Sequence, residues 1–236
     1  MMVKKSLRGT MFSTTSSLLI IDTSTNYLSL GLYQNNHTDC LYEVAGNKHS
    51  ELILPSIKRL LHQHQTTLSK LDAIVYAQGP GAFTGLRIGL GVATGLALPN
   101  HVPLIGIPCL DAVAEQLPEQ TCVLAATDAR MNELFFAWYN TQTHTRLSDY
   151  QVGPAASISL PVGQYHGIGA GNAYGLEIEL PVAGENLMPT AKEYAVLALS
   201  GRYALTNAAQ ASLLYVRNKI ALTLTEQIAR RAGQSQ

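Results

Sequence analysis

The chain has 236 residues and 16 side chains of each charge sign, so its formal net charge is zero. Phosphate binding depends on clustered Lys and Arg, and with only 14% charged residues the chain is not expected to bind nucleic acid unaided. Its three cysteines, Cys40, Cys109 and Cys122, lack CxxC spacing, which argues against a zinc site or a disulfide framework. We expect reduced thiols in a cytoplasmic protein, and no apolar run reaches the ~18 residues that a membrane span needs.

The first part of the chain is expected to form a three-stranded meander. Residues 1–17 contain basic side chains but no apolar core of a signal peptide, and we expect a flexible N-terminal extension there. Leu18–Ile21 predicts a buried strand, and the turn-forming cluster that begins at Asp22 predicts a polar turn. Tyr27–Tyr33 and Asp39–Ala45 predict two further strands. The first turn of the meander therefore contains an aspartate.

The segment HSELILPSIKRLLHQHQ, residues 49–65, predicts an amphipathic helix. Its apolar residues recur with the i, i+3, i+4 spacing of one helix face. Two histidine ligands on one face would need HxxxH spacing, but Ile53 follows His49 by four residues. The sequence therefore predicts no metal site and no metallopeptidase centre.

Residues 73–98, AIVYAQGPGAFTGLRIGLGVATGLAL, predict a buried strand, a glycine-rich turn and a helix from about Thr84, as its cap, to Leu98. Each helix-interior glycine costs about 1 kcal/mol relative to alanine. The glycine spacing matches neither a Walker phosphate loop nor a dinucleotide fingerprint. Two interpretations stay open: the small residues allow close packing on the chain's own sheet, or a partner subunit covers part of the helix. The glycines concerned are Gly85, Gly89, Gly91 and Gly95.

The second half of the chain repeats the plan of the first half. After a strand at Pro103–Ile107 and a short helix at Cys109–Leu117, another strand is predicted at Cys122–Thr127. It ends in a polar turn with Asp128 and Arg130 and is followed by an aromatic-rich strand. We therefore expect a duplicated α/β unit. Later helices are predicted at residues 191–205 and 222–231.

Six stretches together resemble the TsaB family, also called YeaZ, from about Leu18 to Lys219. The resemblance implies an α/β, duplicated actin-like/Hsp70-like (ASKHA) fold of two lobes, each a mixed sheet flanked by helices. The expected division is an extension at 1–17, an N-terminal lobe at 18–107 and a C-terminal lobe with a terminal helix at 108–236. The matching stretches are IIDTST (20–25), HSELILP (49–55), GPGAFTGLRIGLGVATGLAL (79–98), IGIPCLDAVA (105–114), AATDARMNELFFAWY (125–139) and YVRN (215–218).

The resemblance also implies a non-catalytic scaffold and activator in the synthesis of threonylcarbamoyladenosine (t6A) on tRNA. The implied partner is TsaD, which transfers threonylcarbamoyl to adenosine 37 of tRNAs that read ANN codons. The ATPase TsaE would join through the complex, and tRNA would be contacted only indirectly. Without TsaD a homodimer is expected through the same surface. No cofactor of its own is implied, although ATP or ADP is possible at the complex interface.

Two groups of site residues follow from the resemblance. The first is a partner interface on the two helices that begin near HSE and after GPG. The second is a possible cleft group, although Asp22 also suits a turn-stabilising role and Asp128 with Arg130 also suits a local ion pair. The positive charge of Arg87 opposes the dipole at its helix start, which suggests a compensating carboxylate outside the helix. The interface residues are His49, Ile53, Ile57, Gly85, Arg87, Gly89, Leu90 and Ala93, and the cleft residues are Asp22, Asp128 and Arg130.

Other function classes remain open at this point. One alternative is an enzyme, either an M22 glycoprotease-like protein or an actin-like nucleotide-binding hydrolase. Another is a regulator that acts as a homodimer. No Ser/Cys–His–Asp arrangement is evident, and the cysteines fall in apolar surroundings where thiols are inert.

Overall fold

A computed structural model describes residues 12–164 and 166–217. The predicted terminal helix at 222–231 and residues 1–11 of the predicted extension lie outside the described residues. The remainder of that extension is held against the first lobe, because the Ser17 amide donates to Asp72 Oδ2 at 2.8 Å and Gln34 Nε2 donates to Ser17 Oγ at 2.7 Å. The flexibility of the extension stays a prediction.

The first sheet has five strands in the order β3-β2-β1-β4-β5. Its central strand β1 pairs antiparallel with β2 and parallel with β4, and β4 pairs parallel with β5. Strand β2 also pairs antiparallel with β3, which confirms the predicted meander. The strands are β1 (Leu18–Asp22), β2 (Tyr27–Gln34), β3 (His37–Val44), β4 (Ala73–Gly79) and β5 (Leu104–Pro108).

Helices cover both faces of this sheet. Alternate side chains of a strand point to opposite faces, so Leu19 and Ile21 pack with α1 and α2, whereas Leu18 and Ile20 pack with α3 and α4. The predicted cap at Thr84 is wrong, because α2 begins one residue earlier, after Ala82, and has no side-chain cap. The helices are α1 (His49–Gln63), α2 (Phe83–Ala97), α3 (Cys109–Glu115) and α4 (Ala191–Leu199).

The second sheet repeats the pairing of the first. Its order is β11-β10-β6-β7-β8, with β9 also paired to β7. Strand β6 is antiparallel to β7 and parallel to β10, as β1 is to β2 and β4. This repeat confirms the predicted duplicated actin-like fold of two mixed-sheet lobes. The strands are β6 (Val123–Arg130), β7 (Glu133–Asn140), β8 (Thr145–Arg146), β9 (Gln151–Gly153), β10 (Ile168–Ala170) and β11 (Gly184–Glu185).

The expected division between residues 107 and 108 falls one residue before the end of β5, and it does not separate the helices that pack on the two sheets. Helix α4 follows the second sheet in sequence, yet it packs on the first one. It also ends at Leu199 rather than at 205, because Gly201 adopts a positive φ of 70° just beyond the helix. None of the helices within 12–164 and 166–217 has the length and hydropathy needed to cross a bilayer.

Candidate functional site

The four glycines of α2 divide into two pairs with different surroundings. A Cβ added at Gly85 would collide with the Thr23 carbonyl oxygen, and one at Gly89 would collide with Thr23 Oγ1. That hydroxyl donates to the Gly85 carbonyl at 2.7 Å. Among the residues that the structure describes, no atom lies within 4 Å of a Cβ added at Gly91 or Gly95. The chain's own packing therefore requires the first pair, while the second pair faces open space.

Most of the predicted interface residues are buried within this chain's own core. Ile53 and Ile57 on α1 are 1% and 2% exposed. His49 is buried, and its Nε2 lies 3.1 Å from the Tyr27 carbonyl oxygen. Ala93 is fully buried on α2, next to the buried Gly85 and Gly89. Periodicity identifies an apolar helix face but not the surface that covers it, and here the sheet covers it.

The exposed surface of α2 lies on the side opposite its own sheet. We call it the α2 outer face and define it as Phe83, Arg87, Gly91, Gly95 and Leu98, all of them exposed. Phe83 and Leu98 are 41% and 59% exposed. Among the predicted interface residues, Arg87 belongs to this face and Leu90 lies half-buried at its edge. Apart from Arg87 the face is apolar, and the glycines at its centre carry no side chains.

Arg87 has a local partner that the sequence analysis did not anticipate. Its guanidinium carbon lies 3.7 Å from the centre of the Phe83 ring, one turn earlier in α2. A cation over an aromatic face is attracted to the ring quadrupole. The charge is therefore accommodated by its own helix, and its position does not by itself indicate a carboxylate on a partner.

A cleft of about 310 Å³ lies between the two lobes. Its walls are the turn after β1, the start of α2, the end of β6 and the segment 214–217. Asp128 and Arg130 line the cleft and also pair with each other, with 3.1 Å between Arg130 Nη1 and Asp128 Oδ2. Both of the open interpretations therefore hold for this pair. Asp22 lies behind the wall and is 5% exposed.

The two aspartates form the same turn in both lobes. Asp22 Oδ1 accepts a hydrogen bond from the Ser24 amide at 2.7 Å, and Asp128 Oδ1 accepts one from the Arg130 amide at 2.7 Å. An aspartate that bonds the amide two residues ahead is an Asx-turn. Asp22 therefore makes the hydrogen bond that its turn-stabilising interpretation requires.

Burial controls the titration of the groups near the cleft. It raises the pKa of Asp22, although the hydrogen bonds with Ser24 act in the opposite direction. Burial also raises the pKa of the Cys109 thiol, which lines the cleft, to about 12. Because the thiolate is the nucleophilic form, such a thiol is unreactive near neutral pH. Among the described residues no three His, Cys, Asp or Glu side chains are arranged to hold a metal ion.

Arg217 lines the cleft and contacts the second lobe, which the sequence did not predict. Its Nη2 donates to the Ala129 carbonyl at 3.2 Å and forms an ion pair with Glu133 Oε2. The ring of the nearby Tyr215 lies 6.3 Å from that of Phe83. The motif YVRN marked these residues without assigning a role. Their partners are far away along the chain, so no local signal could have identified them.

Comparisons with known proteins agree with this architecture. A family model described as "TsaD: tRNA N6-adenosine threonylcarbamoyltransferase" matches residues 41–233. The tRNA threonylcarbamoyladenosine biosynthesis protein TsaB of Escherichia coli (strain K12) is 39% identical over 125 residues, which are 52% of this chain and 54% of that protein. TsaB of Haemophilus influenzae is 40% identical over 124 residues, which are 51% and 52% of the two chains. The chain spans about half the length of the curated relatives it matches.

Solved structures extend the similarity over most of the chain. YeaZ from Pseudomonas aeruginosa superimposes with a TM-score of 0.74 and 31% identity, covering 85% of this chain and all of that one. A second structure, described as an uncharacterized protein with similarity to peptidase YEAZ from Pseudomonas aeruginosa, gives a TM-score of 0.75 at 31% identity. It covers 86% of this chain and all of its own. The chain therefore belongs to the TsaB (YeaZ) family.

Proposed function

We propose that this protein is a non-catalytic subunit of cytoplasmic t6A biosynthesis, which binds and activates a TsaD-type transferase. The threonylcarbamoyl transfer to adenosine 37 of the tRNA would take place on that partner, with TsaE joining the assembly. Support for the pathway comes from the names of the curated relatives and from the matching family model. A nucleotide at the joint between subunits stays a prediction.

The observation that carries the partner proposal is the α2 outer face. Gly91 and Gly95 each cost the helix about 1 kcal/mol relative to alanine, and no atom of residues 12–164 or 166–217 would touch a Cβ added at either position. Small residues let another helix approach closely, and the exposed Phe83 and Leu98 offer apolar area on either side. A helix of the partner laid along α2 would account for both features.

The polar groups at the start of α1 and around the cleft favour a supporting role over a catalytic one. The His49 ring nitrogen that would bind a metal faces the Tyr27 carbonyl. The Cys109 thiol is held neutral by burial. The cations at the cleft, Arg130 and Arg217, are already paired with Asp128 and Glu133. These groups would have to be released before they could act on a substrate.

Reconstitution tests the functional proposal. Threonylcarbamoyl adenylate, ATP and unmodified tRNA would be incubated with TsaD and TsaE, with and without this chain, and t6A would be measured by mass spectrometry of nucleosides. We expect product only when this chain and TsaD are both present. Formation of t6A by this chain without TsaD, or full activity of TsaD and TsaE without this chain, would refute the proposal.

A size series at Gly91 tests the proposed surface. Gly91→Ala is expected to change the affinity for TsaD little, whereas Gly91→Leu should weaken it by at least about tenfold, because a bulky side chain separates the helices. The same series should disrupt a homodimer measured by analytical ultracentrifugation. Gln142→Leu, an exposed position in the second lobe, serves as the control. Unchanged affinity of a folded Gly91→Leu variant would mean that the interface lies elsewhere.

The cleft of about 310 Å³ is the observation that favours the alternative, an actin-like nucleotide-binding enzyme. Calorimetry of the chain alone with ATP and Mg²⁺, followed by a phosphate-release assay, separates the two proposals. We expect no hydrolysis. Micromolar binding with turnover would favour the enzyme and contradict the supporting role.

A further inference from the structure

A second cavity, of about 210 Å³, lies beside α3. Part of its wall comes from β7 and the loop that follows it, and another part from the residues just after α4. Four residues that carry formal charge line it: Asp111 and Glu115 on α3, Arg146 on β8, and Arg202 after α4. This cavity shares no residue with the α2 outer face or with the lining of the interlobe cleft.

Asp111 is fixed in place by three tyrosine hydroxyls. Tyr139 and Tyr150 donate to its Oδ1 at 2.8 and 2.7 Å, and Tyr203 donates to its Oδ2 at 2.8 Å. Hydroxyl donors stabilise a carboxylate without neutralising it. Within residues 12–164 and 166–217, no Lys, Arg or His nitrogen comes within 4.0 Å of this carboxylate.

Glu115 adds a second negative charge on the same side of α3. It follows Asp111 by four residues, so the two carboxylates share one helix face, where like charges repel. It also ends the helix, where the dipole disfavours a negative charge. In the described part of the chain its carboxylate has neither a hydrogen bond nor an ion pair. Burial raises its pKa, while the charges of Arg202 and His144 oppose that effect from a distance.

Two arginines also line the cavity, but their N–H groups point to acceptors other than Asp111 and Glu115. Arg202 donates from Nε to Ser200 Oγ at 3.0 Å and from Nη1 to the His144 carbonyl at 3.1 Å. Arg146 lies over the Tyr150 ring at 4.0 Å, and its Nη2 is 3.8 Å from Oδ1 of the exposed Asp149. In the described residues neither guanidinium comes within 4.0 Å of Asp111 or Glu115. The four charges sum to zero, but the cavity keeps the opposite charges apart.

From this arrangement we propose that the cavity binds a small zwitterion, specifically a free α-amino acid. Its ammonium group would lie against Asp111 and Glu115, and its carboxylate would face Arg146 and Arg202. An arginine fork matches carboxylate geometry, and an ammonium offers three donors to the acidic side. A ligand with one charge of each sign pairs with both the acidic and the basic side chains. A simple anion or cation would leave one of these two groups without an opposite charge. The volume suits a molecule with a side chain of a few carbon atoms.

Titration of the full chain with matched ligands tests the proposal. The probe is L-alanine, compared with L-alaninamide, which lacks the carboxylate, and N-acetyl-L-alanine, which lacks the ammonium group. Binding is measured by calorimetry and by shifts of the arginine Nε–H signals in NMR spectra. We expect saturable binding of L-alanine and at least about tenfold weaker binding of both analogues. Absence of saturable L-alanine binding, or equal binding of either analogue, would overturn the proposal.

Charge-removing variants assign the binding to this cavity. Glu115→Gln and Arg202→Gln should each weaken L-alanine binding by at least about tenfold, because each removes one of the matched charges. Arg59→Gln, at an exposed position on α1, is the control and should bind as the wild type does. Thermal unfolding would verify that the variants fold. Unchanged binding in both folded cavity variants would show that L-alanine binds elsewhere, and the proposal would fail.

Discussion

Two neighbouring residues after β1 stabilise the turn and hold α2 against it. Asp22 closes the turn through the Ser24 amide, and Thr23 presents its carbonyl and hydroxyl to α2. The glycines at 85 and 89 let the helix lie directly on this turn. One short polar motif thus fixes both the chain direction and the position of the helix proposed to carry the partner surface.

Replacement of Asp22 tests its role at the residue scale. Asp22→Asn keeps the Oδ1 acceptor and removes a buried charge. Because burial raises the pKa of Asp22, the folded protein binds more protons than the unfolded chain between the ordinary and the raised pKa, so this group makes stability fall as pH rises there. We therefore expect the variant to exceed the wild type in free energy of unfolding near about pH 7, and the gain to shrink toward about pH 4.

Urea unfolding over that pH range measures the difference, and Asp22→Ala provides the comparison. Alanine removes the acceptor for the Ser24 amide and should cost about 1 kcal/mol relative to Asp22→Asn. A difference between Asp22→Asn and the wild type that does not vary with pH would show that the charge of Asp22 does not control this part of the stability.

The glycine pairs give a second residue-scale prediction. Gly85→Ala should lower the free energy of unfolding by about 1–3 kcal/mol, because the added methyl group collides with the Thr23 backbone. Gly91→Ala is the matched control and should raise it by about 0.5–1 kcal/mol, since the helix gains propensity and nothing is displaced. Both values come from urea unfolding. Equal effects at the two positions would contradict the assigned division.

At the scale of elements, the helices differ in how their first turns are satisfied. Helix α4 begins with a capping box: Thr190 Oγ1 accepts from the Lys192 amide, and Glu193 Oε2 accepts from the Thr190 amide at 2.7 Å. Helix α2 begins without a side-chain cap, and its first residues lie at the wall of the cleft. The N-terminus of α2 depends on packing, while that of α4 is specified locally.

This difference predicts that only one of two threonine substitutions lowers the free energy of unfolding. Thr190→Ala should lower the free energy of unfolding by about 1 kcal/mol, because an N-cap acceptor is lost. Thr84→Ala, in the first turn of α2, should cause no loss, because its hydroxyl caps nothing. Urea unfolding under identical conditions measures both. A larger loss for Thr84→Ala than for Thr190→Ala would restore the capping role that the sequence suggested for Thr84.

At the scale of the whole molecule, residues 206–217 connect the lobes. We call them the return segment. Thr206 pairs with Leu104 at the start of β5, and the Leu214 amide donates to the Gln78 carbonyl at 2.8 Å. Arg217 then reaches Glu133 and Ala129 in the second lobe. The return segment therefore contacts both sheets and forms one wall of the cleft.

Loss of the Arg217 contact should loosen this connection. Arg217→Gln is expected to lower the free energy of unfolding by about 1 kcal/mol, since the ion pair with Glu133 is partly exposed. Hydrogen exchange followed by mass spectrometry should speed up in the return segment, including the Leu214 amide. Arg59→Gln on α1 is the control. Unchanged exchange in Arg217→Gln would show that the segment is held without this contact.

Much of the fold was predictable because its signals are local. The apolar runs at Leu18–Ile21 and Ala73–Ala77, and the two Asp turns that follow β1 and β6, identified the strands and their repetition. The short turn between β1 and β2 indicates an antiparallel pair. The longer connection to β4, which contains α1, allows a parallel pair. The family resemblance added the two-lobed architecture, which local patterns alone supported only as a duplicated unit.

The sequence by itself determined the five strands of the first sheet, β6 and β7 of the second, the four helices, the duplication and the small-residue character of α2. Hydrophobic period, turn chemistry and glycine content act over a few residues. Only the tertiary structure decided which face of α2 meets its own sheet, that α4 packs on the first sheet, and that Arg217 pairs with Glu133. Those outcomes depend on contacts between residues far apart in the chain. A helix face of apolar or small residues gives the same sequence pattern whether the chain's own sheet or another protein covers it.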